Sequence, residues 1–123
     1  MKRAFTNILT GDVEGTSAFY EHLLGMNRRG DFGWFVVLGH PELTGFELGI
    51  LDKAQETLKP NTATAQGGII LTFVVEDVEA VYARSRSMGV TILQEPTDMF
   101  YGQRRLLLSD PAGTTVDISA PIT

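Results

Sequence analysis

The chain repeats itself, and that constrains its fold more than any other feature. Residues 5–18 read FTNILTGDVEGTSA and residues 70–83 read ILTFVVEDVEAVYA. Asp12-Val13-Glu14 reappears as Asp77-Val78-Glu79, and at the same spacing Leu9 matches Val74, Ala18 matches Ala83 and Leu23 matches Met88. A fixed internal period means two copies of one supersecondary unit. The alternative, a chance triplet among apolar coincidences, does not explain why the order of elements also repeats.

Each copy has local causes. Residues 4–10 and 69–75 are short and rich in β-branched or aromatic side chains, which predicts strands. Asp12 and Asp77 follow them where a helix needs an N-cap acceptor, and Glu14 and Glu79 sit in the first turn, where negative charge suits the helix dipole. Val13, Phe19, Tyr20, Leu23 and Leu24 form one apolar stripe; Val78, Val81, Tyr82 and Met88 form the other. Gly25 and Gly89 suit helix exits. Three strands are expected after each helix: about 26–31, Trp34–Leu38 and Gly45–Leu51, then Thr91–Gln94, Arg104–Ser109 and Thr114–Ser119. The expectation is an α+β domain of two βαβββ repeats, 1–51 and 69–123. The linker, 52–68, is expected to be exposed, with a short helical turn at 53–58.

Composition narrows the function. Apolar residues are 43% and charged residues 20%, an ordinary globular balance. The length fits one domain or a compact pair of half-sized units, although a lone half of about 60 residues would be marginal. The net charge of −5 disfavours nucleic acid or an anionic membrane as partner. No cysteine is present, which excludes disulfides, thiolate metal sites and a cysteine nucleophile. No apolar run of membrane-spanning length occurs, and the stretch after Met1-Lys2-Arg3 is too short and polar for a signal peptide. A cytoplasmic location is the expectation.

The final strands carry the first candidate chemistry. Alternation puts Phe46, Leu48 and Ile50 on one face and Glu47 on the other, and does the same for Val116 and Ile118 against Asp117. Both carboxylates are placed on corresponding strands; each could equally be a polar residue on a solvated face. His22 and His40 lack the spacing of a paired metal site. No nucleophilic triad, phosphate loop or dinucleotide fingerprint stands out. Met99–Arg105 mixes Phe100, Tyr101, Arg104 and Arg105, which suits a planar or anionic ligand; an ordinary loop beside an edge strand would read the same way. Asp110-Pro111-Ala112-Gly113 reads as a type I turn.

Asp12-Val13, Phe19-Tyr20 and Leu23-Leu24-Gly25 resemble a signature of the glyoxalase/bleomycin-resistance/extradiol-dioxygenase group, the vicinal oxygen chelate superfamily. Phe73–Val78, Gly102-Gln103-Arg104 and Asp110–Asp117 extend the resemblance over nearly the whole chain. It implies paired βαβββ units whose sheet curves around a cleft, usually with a homodimer shaping it. It also implies four metal-ligand positions in metal-dependent members, which fall here on Phe5, Ile70, Glu47 and Asp117. The members' usual His is apolar at the first two. Glu47 and Asp117 alone would hold a hard cation weakly, so no cofactor is expected. The resemblance then implies a metal-free protein binding a small molecule, an antibiotic or another aromatic or cationic compound. Its cleft would be lined by Phe5, Asn7, Glu47, Ile70, Thr72, Arg105 and Asp117, with Trp34, Phe100 and Tyr101 as aromatic walls. Two alternatives stay open. One is a divergent lyase, isomerase or dioxygenase, using a divalent metal at Glu47 and Asp117 or metal-free acid–base chemistry. The other is a non-catalytic dimeric module whose cleft is filled by side chains.

Overall fold

The structure, a computed structural model, describes residues 1–55 and 67–122. It divides into two compact units, residues 1–66 and 67–123. In the first unit β1 (Thr6–Thr10) leads into α1 (Val13–Leu24), followed by β2 (Asn27–Asp31), β3 (Phe35–His40) and β4 (Leu43–Asp52). In the second, β5 (Ile70–Val74) leads into α2 (Val78–Ser87), followed by β6 (Thr91–Asp98), β7 (Gln103–Ser109) and β8 (Thr115–Pro121). The sheet orders are β1-β4-β3-β2 and β5-β8-β7-β6. In each, the first strand pairs parallel with the last and the remaining pairings are antiparallel. The fold is therefore α+β, with two βαβββ repeats.

The repeated Asp performs the same task twice. Asp12 Oδ1 accepts from the Gly15 amide at 2.8 Å, and Asp77 Oδ1 accepts from the Ala80 amide at 3.2 Å. Each satisfies one donor that the first helical turn leaves open. Gly25 ends α1 in the left-handed region, φ 71°, and its amide donates to Glu21 O. His40 then fastens β3 to this helix end: Nε2 lies 3.0 Å from Leu24 O while Nδ1 accepts from the Glu42 amide.

Each helix covers one face of its own sheet. Ile8, Leu38, Leu48 and Ile50 lie against Tyr20 and Leu23 in the first core, all 3% exposed or less. Leu106, Leu108, Val116 and Ile118 are wholly buried in the second, with Val78 and Val81 of α2. Burial at this level stabilises by roughly 1.5–3 kcal/mol per large aliphatic side chain. The α1 stripe differs from the expected one. Thr16 and Ser17 are fully buried, while Val13 and Leu24 are only half-buried. The buried threonine is satisfied, because Thr16 Oγ1 and Thr10 Oγ1 are 2.9 Å apart.

The strands fall where expected, with shifted ends. β6 is the largest departure, running to Asp98 through Pro96 with two register shifts. It is an edge strand, where a proline costs no ladder hydrogen bond. Asp52 opens a turn, its carboxylate accepting from the Ala54 amide and its carbonyl from the Gln55 amide. The rest of the expected 53–58 turn lies outside the described residues. Among the described residues no helix is long and apolar enough to cross a membrane.

Candidate ligand-binding face

Strand alternation leaves each sheet one face without a helix. In the first unit this face carries Phe35 and Val37 of β3 and Glu47, Gly49 and Leu51 of β4. Arg3 grips Glu47 there in a bidentate pair, Nε and Nη2 each 2.7 Å from a separate carboxylate oxygen. The same guanidinium lies over the Phe5 ring, 4.8 Å from its centroid. The Arg3 hydrogen bonds hold the Glu47 carboxyl below its ordinary value of 4.5, and the same pairing raises Arg3.

A bulge supplies the second cation. Arg28 pairs with Leu38 and Gly30 with Val37, so Arg29 is an extra residue in β2. Arg28 goes to the helix side, where it meets Glu14, Glu21 and Asp31. Arg29 goes to the other face, and its Nε donates to the neutral Asn27 Oδ1 at 2.7 Å. Bulges commonly re-aim a side chain in this way. A Cβ on Gly39 would sit 2.9 Å from Arg29 Nε, so the missing side chain is what lets the guanidinium lie flat on the strand. Gly49 does the same for Asn7 and Phe35, both of which occupy the space a Cβ would take.

Beside them is a half-open hollow of about 240 Å³, lined by Arg3, Phe5, Arg29, Gly30, Phe32, Phe35 and Val37. Phe32 and Phe35 are nearly parallel, 11° apart with centroids at 6.4 Å. Trp34 stacks on Phe35 at 5.8 Å and 28°. Of the sequence-expected residues, Phe5 lines the hollow, Glu47 pairs with one of its walls, Asn7 lies on the neighbouring Gly49, and Trp34 backs the aromatic stack.

The helix-free face of the second unit is organised by Asp117. Thr72 Oγ1 donates to Asp117 Oδ2 at 3.0 Å and Ser119 Oγ to Oδ1 at 2.6 Å. Arg105 shares this face by alternation, and its Nε donates to Gln94 Oε1. Arg104 points the other way, to Glu79 of α2 and to Asp98. Ile70 is 59% exposed. Phe100 and Tyr101 form an edge-to-face pair, centroids 5.3 Å apart, in the β6–β7 connection.

Strand register revises the alignment of the two carboxylates. Asn7 and Thr72 correspond at the repeat spacing; Asn7 pairs with Gly49, but Thr72 pairs with Asp117. Gly49, not Glu47, is thus the counterpart of Asp117. The slip of two residues keeps both carboxylates on the helix-free face, because side chains alternate with period two. It also separates their surroundings. Glu47 is held by a cation, and Asp117 by two hydroxyls.

These residues do not fit the metal that the resemblance implies. Phe5 and Ile70 offer no donor atom. Both Glu47 oxygens are committed to Arg3. Among the described residues no three His, Asp or Glu side chains gather as a ligand set.

Sequence reasoning did not find Arg3, Arg29 or Phe32. Arg3 precedes the first strand, and its partner is distant in sequence. Arg29 is aimed by a bulge that no periodicity reveals. Phe32 did carry a signal: Asp31-Phe32-Gly33-Trp34-Phe35 concentrates aromatics around a turn at least as densely as Met99–Arg105 does.

Residues 3–118 match the model of the glyoxalase/bleomycin resistance protein/dioxygenase superfamily. Solved structures share the fold across nearly the whole chain. A glyoxalase-related enzyme from Fulvimarina pelagi is 19% identical with a TM-score of 0.81, covering 98% of this chain and 88% of that one. A glyoxalase/bleomycin resistance protein/dioxygenase from Nocardioides is 19% identical with a TM-score of 0.75, covering 99% and 84%. A protein described only as a conserved domain protein is 26% identical with a TM-score of 0.76, covering 98% and 99%. No curated protein matches the sequence. The repeated βαβββ units and the family match over residues 3–118 agree: this chain belongs to the glyoxalase/bleomycin resistance protein/dioxygenase superfamily.

Proposed function

We propose that this chain binds a small organic molecule on the helix-free face of its first sheet, and that it does so without a metal at Glu47 and Asp117. The observation that carries this reading is the bidentate Arg3–Glu47 pair beside an aromatic hollow. A cation at Glu47 would have to displace a guanidinium that already satisfies both oxygens. The hollow offers concave apolar walls and a few placed polar groups, the usual make-up of a small-molecule site. A role for Glu47 as general acid is disfavoured as well, since that role needs a raised carboxyl pKa and Arg3 lowers this one.

The test is thermal melting with a library of aromatic compounds, run in the presence of a chelator. Binding to the folded state raises the melting temperature by mass action. A rise that persists in chelator supports the reading. A rise that appears only after a divalent metal is added back contradicts it.

A further inference from the structure

The charge of the hollow indicates which ligand it takes. Glu47 is neutralised by Arg3, and that pair together carries no net charge. Arg29 remains, with a neutral amide as its hydrogen-bond partner. The hollow therefore presents one net positive charge, although the protein as a whole carries −5. The guanidinium fork of Arg29 is held by Asn27 and by the bare surface of Gly39. Phe5, Phe32 and Phe35 supply ring faces on the same hollow.

We infer that the helix-free face of the first repeat recognises a small aromatic carboxylate, its carboxylate meeting Arg29 and its ring packing against Phe32 and Phe35. This deepens the small-molecule reading above and rests on it. A planar guanidinium matches a carboxylate through two parallel hydrogen bonds, and these charge-assisted bonds are stronger than neutral ones. One guanidinium whose hydrogen-bond partner is neutral balances one negative charge, which favours a monoanion over a phosphate dianion. Size narrows the ligand further. A hollow of about 240 Å³ is smaller than the roughly 300–1,000 Å³ of sites for drug-sized ligands. A ligand with one ring, or two fused rings, suits it.

The experiment uses the whole chain and three probes of similar shape: benzoate, benzylamine and benzyl alcohol. Small probes bind weakly, so binding is read as amide and side-chain NMR shifts, with Trp34 fluorescence as a second signal. Benzoate is expected to shift Arg29, Phe32, Phe35 and Val37, with benzylamine shifting them least. Arg29→Gln is expected to weaken benzoate at least about tenfold. Arg29→Lys, which keeps the charge but not the fork, should recover part of that loss. Glu47→Gln leaves Arg3 without a counter-charge and should tighten benzoate several-fold. This gain guards against reading a misfolded Arg29 variant as support. Equal or stronger binding of benzylamine or benzyl alcohol to the same residues, unchanged by Arg29→Gln, overturns the carboxylate assignment and leaves small-molecule binding standing. Absence of shifts at these residues with all three probes overturns both.

Discussion

Arg3 closes on Glu47 from the segment before β1, with one nitrogen on each carboxylate oxygen at 2.7 Å. The pair makes Glu47 a structural anion rather than an open donor. Its carboxyl is held below 4.5, so the ionised form is the one the folded state favours. The sign follows. The contribution to stability is present above the ordinary carboxylate value and is lost as the pH falls through the depressed folded value. In an NMR titration the Glu47 carboxyl carbon should show a midpoint below the ordinary Glu value. In Arg3→Ala that midpoint should move upward.

Gly49 is a packing requirement of the binding face. A Cβ there would meet the Asn7 side-chain oxygen, and it would sit 2.8 Å from Phe35 Cε1. Gly49→Ala should destabilise by about 1–3 kcal/mol in chemical denaturation, the usual cost of overpacking. It should also shift the Phe35 ring resonances. A neutral outcome on both measurements would mean that Asn7 and Phe35 can both move aside without cost.

The two helix caps give a matched pair of variants. Asp12→Ala and Asp77→Ala each remove a side-chain acceptor from the first turn. Each should cost about 0.5–2 kcal/mol by denaturant unfolding. Replacement by Asn or Ser should restore most of the loss.

Leu106 and Ile118 pair across β7 and β8 and are wholly buried. Leu106→Ala should cost about 2–5 kcal/mol, through lost burial and the cavity left behind. Leu107, which alternates to the helix-free face and is half-buried, should cost less on the same change.

Much of the fold was legible because its signals are local. Asp12 and Asp77 mark helix starts by cap chemistry, and Leu48, Ile50, Val116 and Ile118 reveal a buried face by alternation. Thr16 and Ser17 were not legible as core, since their burial depends on how closely α1 approaches the sheet. The site was less legible than the fold. Alternation placed Glu47 and Asp117 on the helix-free faces, but it could not show that Gly49 is the register counterpart of Asp117. Nor could it show the cation on Glu47, because Arg3 lies outside any strand pattern. The Arg29 bulge is set by pairing between strands, which sequence periodicity does not encode.

The most direct test of the metal-free account is calorimetric titration of the chelator-treated protein with Zn²⁺, Ni²⁺ and Mn²⁺, alongside Glu47→Gln and Asp117→Asn. No stoichiometric binding that depends on either carboxylate is expected. One ion bound per chain, with affinity lost in both variants, would contradict it.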